Sequence, residues 1–247
     1  MKKKIKKIFS LLITLAGILT LQGAAHAAVD PALIVPPPVR IFIADGALKP
    51  IELRSLGITG EVVGNVSNTV IDMAFYNPNP RVLEGELQFP LLDNQTVTAF
   101  SLEMDDGKMR DAVPVEKNKG RQVFEEIVRR GVDPALLEMT DGNNFKLRVY
   151  PLPPGKARRV RVVITELLPE GKDGLIYRVP LEYGQKIDEL ELSLKIAHSG
   201  KPLIKNSPFD GAGFENKNGV WVYGVNSKNA AVSGMFAAEM PLMKNGE

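Results

Sequence analysis

Apolar residues return at every second position in segment after segment of this chain. Ile71, Met73 and Phe75 do so, as do Leu83, Leu87 and Phe89, and then Thr98, Phe100, Leu102 and Met104. The pattern resumes at Phe145, Leu147 and Val149, at Val160, Val162 and Ile164, and at Leu190, Leu192, Leu194 and Ile196. A period of two places successive side chains on opposite faces, so each segment reads as a half-buried strand. Turn-forming clusters fall between them: Asn77-Pro78-Asn79-Pro80, Asp105-Asp106-Gly107, Pro153-Pro154-Gly155 and Asn216-Lys217-Asn218-Gly219. A further strand is expected over residues 39–44, after an arm of residues 28–38 holding Pro31, Pro36, Pro37 and Pro38, and another over 220–225. Many short strands separated by turns predict a mainly β chain folded as an antiparallel β-sandwich.

One stretch breaks the period. Over residues 118–130 the apolar positions are Val123, Phe124, Ile127 and Val128, a single helical stripe. Gly131 stands where a left-handed C-terminal cap belongs, and Arg129 and Arg130 in the last turn suit the helix dipole. The fold class is therefore a sandwich with one inserted α-helix. Asp133-Pro134 reads as an N-cap followed by proline at the first helical position, opening a short helical turn through Leu137. Arg130 is either a solvated helix-end residue or an ion-pair partner of Glu138 or Asp133. Gly142-Asn143 forms a turn. Pro154-Gly155 suits the centre of a type II turn, which would join the strands around Leu147 and Val162 into a hairpin.

The N-terminus reads differently. Five lysines within the first seven residues precede an apolar run over residues 8–21, and Ala25 and Ala27 are small residues at the two positions a signal peptidase inspects. Residues 1–27 are expected to be a secretory signal peptide cleaved between Ala27 and Ala28. The apolar run is short for a span, which needs about 20 residues, so no stable membrane span is expected after cleavage. The lysine-rich head points to a bacterial chain that is periplasmic, extracellular or held at the cell surface. Without those 27 residues, 26 basic side chains face 29 acidic ones, so the exported chain is about −3 and gives no support for nucleic-acid binding. Cysteine is absent, which excludes disulfides, thiolate metal sites and cysteine nucleophiles.

No catalytic, cofactor or metal residues are expected. His198 is the one histidine left after cleavage, and no Gly-x-Ser-x-Gly elbow accompanies it. Glu125 and Glu126 are neighbours on the expected helix, so their carboxylates diverge by about 100°. The loop over residues 210–219 offers scattered oxygen ligands without EF-hand spacing. More informative is the outer face of the expected hairpin, where Lys146, Arg148, Tyr150, Arg159 and Arg161 would point to solvent. Like charges facing one another repel. Either acids on adjacent strands, such as Glu84, Glu86, Glu189 or Glu191, compensate, or the face docks an acidic protein partner, an anionic glycan or a lipid surface.

The helix and its flanks carry more specific motifs. Val115-Glu116-Lys117, Arg121, Phe124-Glu125, Arg130-Gly131, Asp133-Pro134 and Leu136-Leu137-Glu138 are followed by Gly142-Asn143, Phe145, Arg148-Val149 and Pro151-Leu152-Pro153-Pro154-Gly155. With Asn77-Pro78 and the run over residues 83–91 upstream, this stretch resembles the VIT (vault and inter-alpha-trypsin inhibitor) domain over residues 56–168. Phe124, Gly120 and Leu152 depart from the family's usual tyrosine, alanine and isoleucine, which touches packing rather than identity. The resemblance implies a β-sandwich module without a known catalytic centre, acting in protein–protein interaction or as a scaffold. It also implies that a von Willebrand factor A domain, which binds a metal through an Asp-x-Ser-x-Ser loop, commonly follows; no such loop occurs here.

The expected organisation is then a signal peptide over 1–27, a proline-rich arm and first strand over 28–55, the VIT domain over 56–168, and a C-terminal strand region over 169–247 that completes or extends the sandwich. The chain is either truncated before a von Willebrand A-type domain or a stand-alone module. The competing expectation is a carbohydrate-binding sandwich of the cell envelope. Trp221 as sole tryptophan, with aromatics at 6%, argues against it, because sugar platforms use exposed rings.

Overall fold

The computed structural model describes residues 40–43, 49–112, 125–126, 135–140 and 144–242. The strands in chain order are β1 (Arg40–Ile43), β2 (Glu52–Val63), β3 (Val66–Tyr76), β4 (Leu83–Pro90), β5 (Gln95–Glu103), β6 (Met109–Asp111), β7 (Ala135–Thr140) and β8 (Asn144–Leu152). They continue with β9 (Ala157–Leu167), β10 (Gly174–Pro180), β11 (Ile187–Ala197), β12 (Leu203–Asn206), β13 (Glu215–Lys217), β14 (Val220–Ala230) and β15 (Met235–Pro241). The described chain is thus mainly β. An eight-stranded sheet runs β13-β14-β11-β2-β3-β9-β5-β6, a four-stranded sheet β1-β4-β8-β7, and a three-stranded sheet β10-β15-β12.

The alternating apolar residues fill one hydrophobic cluster that draws on all three sheets. Leu56, Ile58, Val160, Val162, Leu192 and Leu194 enter from the eight-stranded sheet, Leu87 and Leu147 from the four-stranded sheet, and Tyr177 and Phe236 from the three-stranded sheet. Close approach is needed in one place. A Cβ on Gly60 would fall onto the hydroxyl of Tyr177 and a methyl of Leu194, so only glycine lets β10 lie against β2 there. The β13–β14 hairpin closes through Asn218 and Gly219, both at positive φ, the geometry that matches the twist of two antiparallel strands.

Several expectations need correction. The arrangement is not wholly antiparallel, since β11 runs parallel to β2 from Glu189↔Ser55 to Ala197↔Val63. The two strands are far apart in sequence, which leaves room for the long crossover that a parallel pair requires. Thr98 does not share the inward face of Phe100 and Leu102: a bulge between Val97 and Ala99 shifts the phase and leaves Thr98 exposed. The short helical turn expected through Leu137 is instead strand β7, paired along β8 with Leu137 opposite Leu147. A free sheet edge outcompetes a local cap signal, because it satisfies every second backbone group of the segment.

The largest correction concerns Pro154-Gly155. Gly155 has the expected positive φ of 65°, but the turn does not make a hairpin. β8 pairs with β4 and β7, whereas β9 pairs with β3 and β5, so the turn carries the chain from the four-stranded to the eight-stranded sheet. Of the expected helix, Glu125 and Glu126 are described and have helical backbone; its other positions lie outside the described residues.

Candidate interaction surfaces

Because β8 and β9 belong to different sheets, the five residues expected on one face are divided. Lys146, Arg148 and Tyr150 lie on β8, and Arg159 and Arg161 on β9. On β8 the cations meet acids of the neighbouring β4. Lys146 Nζ lies 2.5 Å from Glu86, and Arg148 Nε donates to Glu84 Oε1 at 2.6 Å. Burial acts to raise the Glu86 pKa, but the Lys146 and Gln88 hydrogen bonds outweigh it and hold the carboxyl below its usual range. The Glu84 hydrogen bond raises Arg148. On β9, Arg161 donates from Nε and Nη2 to the two oxygens of Asp72 at 2.9 and 3.1 Å, which raises its own pKa. Arg159 engages Glu103 through its backbone N–H.

Of the other motif residues, Phe145 packs against the core and Pro154 and Gly155 form the exposed crossover turn. Ala27, Ala28, Arg130, Gly131, Asp133, Pro134, Gly142 and Asn143 lie outside the described residues. His198 closes a local turn, its Nδ1 3.0 Å from Gly200 O, while its carbonyl accepts the indole N–H of Trp221 at 3.0 Å. Among the described residues no three His, Asp or Glu side chains converge as metal ligands. No described helix is long and apolar enough to cross a membrane.

The register places the two ends of the sheets in strong contrast. At one end Asn77 and Asn79 are buried and bonded. Asn77 Nδ2 donates to Arg81 O and Leu152 O, both at 2.8 Å, and its Oδ1 accepts the Asn79 N–H at 2.9 Å. Asn79 exchanges hydrogen bonds with the Lys49 backbone, and Gly155 N–H donates to Asn77 O. Three strand connections are thus closed by two asparagines.

At the opposite end, aliphatic side chains face water. Among the described residues six large apolar side chains are 42–70% exposed: Val63, Val66, Val82, Leu167, Leu203 and Leu242. All but Val82 share this end. Val63 opposes Val66 across the β2–β3 turn, and Val66 opposes Leu167. Leu242 donates its N–H to Asp173 O beside the start of β10, and Leu203 begins β12 opposite Glu239 of β15. The sequence signal for two of them is a doublet. In Val62-Val63 and Leu167-Leu168 one apolar residue must face out of a period-two strand, and the alternation pattern records only the inward one.

Just beneath that end lies a buried polar cluster. Glu166, Arg178 and Gln95 are almost wholly enclosed. Arg178 Nη2 donates to Glu166 Oε1 at 3.3 Å, Gln95 Nε2 donates to Glu166 Oε2 at 3.0 Å, and Gln95 Oε1 accepts the Leu92 N–H. Burial raises the Glu166 pKa against the pull of Gln95 and Arg178. The Tyr177 hydroxyl shares a 2.8 Å hydrogen bond with Thr69, and burial raises its pKa. Gln95 and Arg178 also border a mainly apolar cavity of about 50 Å³, and with Glu166 they brace the strands around it.

Comparison with known proteins fits this architecture. The chain matches the Vault protein inter-alpha-trypsin domain over residues 53–165. It is 27% identical over 130 residues to the mouse protein mono-ADP-ribosyltransferase PARP4, covering 52% of this chain and 7% of that protein. It is 26% identical over 125 residues to a von Willebrand factor A domain-containing protein of Dictyostelium discoideum, covering 51% of this chain and 14% of that one. The chain therefore spans a small part of the length of both relatives. Among solved structures, a Legionella pneumophila protein described as a candidate nutrient-binding protein superposes with a TM-score of 0.53 at 10% identity, over 82% of this chain and 73% of that one. At that identity the likeness shows the fold alone. The sequence motifs and the family match agree that this chain carries a Vault protein inter-alpha-trypsin (VIT) domain over residues 53–165.

Proposed function

We propose that the protein is an exported, non-enzymatic interaction module, a β-sandwich that uses its apolar end to hold a protein partner. The observation that carries this reading is the gathering of Val63, Val66, Leu167, Leu203 and Leu242 at one end while the other end satisfies its polar groups internally. Exposed aliphatic clusters of this kind mark interaction sites. The shared core of the three sheets supports the sandwich arrangement. The leader over residues 1–27 supports export from a bacterial cell to the periplasm or surface. The Dictyostelium relative, named for a von Willebrand factor A domain, supports a domain of that type as the neighbour of this one in longer forms. His198 engaged in its own turn supports the absence of catalysis.

Three measurements test the reading. Intact mass of the protein recovered from the cell envelope should give an N-terminus at Ala28; a retained residue 1 would contradict export. Val63→Ser, Val66→Ser and Leu167→Ser combined should abolish co-purification of the partner while leaving the urea unfolding midpoint nearly unchanged. Undiminished co-purification would overturn the apolar end as the binding surface. Trp221 fluorescence unresponsive to envelope glycans is expected, since its indole N–H is already engaged by His198 O; a glycan-dependent change would favour the carbohydrate reading.

A further inference from the structure

The outer face of the eight-stranded sheet holds a groove of about 660 Å³ across β14, β11, β2, β3 and β9. Its floor is made of small side chains. One row across the strands reads Lys228, Glu189, Ser55, Ala74, Arg159, and the next reads Asn226, Glu191, Gly57, Asp72, Arg161. Two ion pairs form on this face: Arg161 with Asp72, which itself lines the groove, and Lys195 with Glu61. The other charges of the groove are not matched. Among the described residues the side chains of Glu189, Glu191, Lys228 and Arg159 are exposed and form no ion pair, although Glu189 and Lys228 stand opposite one another in register. Glu189 and Glu191 are two residues apart on one face, so their carboxylates rise about 7 Å from each other. That is like-charge crowding that an incoming cation would relieve.

We propose that this groove is a docking site for an extended peptide segment of a protein partner. The segment presents a basic side chain to Glu189 and Glu191 and an acidic side chain to Arg159. This rests on the interaction-module reading and adds to it a second surface and the charge pattern that surface selects. β11 and β9 are three strand spacings apart, about 14 Å, which is the length of about four residues of extended chain. Gly57, Ser55 and Ala74 between them leave the floor low enough for a backbone to lie across the sheet. The carboxylates repel phosphate, and among the described residues no aromatic ring lines the groove to stack a sugar.

The test uses the exported chain, residues 28–247, and labelled peptides carrying one lysine and one glutamate in a Gly/Ser/Thr background, with their spacing varied. Fluorescence anisotropy at low and physiological salt reads binding. The expected result is binding that peaks near a spacing of four residues and falls about tenfold or more in Glu189→Lys/Glu191→Lys. Exchanging the peptide's lysine for glutamate should restore binding to that variant, and Arg159→Glu should be rescued by exchanging the peptide's glutamate for lysine. Urea midpoints of both variants should match the parent. Absence of peptide binding at every spacing, or equal binding by the charge-reversed variant, would overturn the groove. Amide shifts at Val63, Val66 and Leu167 in place of Ser55–Thr59 and Glu189–Glu191 would overturn the groove while leaving the interaction reading intact.

Discussion

The two ends of the sheets solve the same problem in opposite ways. Both must terminate strands and return the chain, which leaves backbone groups without ladder partners. At the Asn77 end, side-chain amides supply those partners, and the connections beside Lys49, Leu152 and Gly155 close around two buried asparagines. At the Val63 end, the turn runs through Gly64 at positive φ with valines on both shoulders and Leu167 alongside. One end satisfies its polar groups within the chain; the other leaves aliphatic side chains facing water. The difference sets an internally bonded end against the end proposed above as the binding surface.

Substitutions can break that contrast, starting with the brace beneath the apolar end. Glu166→Leu leaves Arg178 buried beside an apolar group and should cost about 3–5 kcal/mol in urea unfolding. Adding Arg178→Met should recover most of that loss, whereas a further loss would show that Arg178 does not depend on Glu166. Asn77→Ala comes next. It removes two donors and one acceptor from a site with no exposed surface, for an expected loss of about 2–4 kcal/mol. A loss below about 0.5 kcal/mol would mean that the Asn77 end is not what holds those connections closed.

Acidity sharpens the contrast more gently. The folded pKa of Glu166 is raised above its unfolded value, so its contribution is fully present below the unfolded pKa and is lost as pH rises through the folded one. Glu86 has the opposite sign: its folded pKa is lowered, so its contribution is present above the unfolded pKa and is lost as pH falls through the folded one. Glu166→Gln should therefore flatten the decline of stability with rising pH just above the carboxylate range. Glu86→Gln should flatten the decline toward acid. Parallel stability–pH curves for either variant and the parent would contradict that assignment. The smallest effect is expected at the apolar end, where Val63→Ser, Val66→Ser and Leu167→Ser should each change stability by less than about 0.5 kcal/mol. A cost of 2 kcal/mol or more would show that these side chains pack within the chain and do not wait for a partner.

The period-two pattern made most strands legible, because β8, β9 and β11 each carry a run of apolar residues at alternate positions: Phe145 to Val149, Val160 to Ile164 and Leu190 to Ile196. β2 escaped it. A bulge between Leu53 and Ser55 shifts its phase, and Gly60 holds an inward position that no apolar side chain marks. Alternation also fixes which face of a strand turns inward but not which strand lies beside it. Pro154-Gly155 therefore read equally well as a hairpin turn or a crossover, and the basic face built on the hairpin reading divided in two. Glu84 and Glu86 were visible as counter-charges for Arg148 and Lys146, while Asp72 was not, since only the β3–β9 register brings it to Arg161. Asp133-Pro134 is a strong local signal, yet the residues after it form β7, because pairing with β8 is a long-range gain that the local sequence does not encode.

Site-specific photo-crosslinking in cells tests the contrast most directly. A benzophenone side chain placed at Leu167, and separately at Lys156 on the opposite end, reports what each end touches. Discrete higher-mass adducts from position 167 and none from position 156 are the predicted result. Adducts from position 156 alone, or equal yields from both, would contradict the assignment of the apolar end as the binding end.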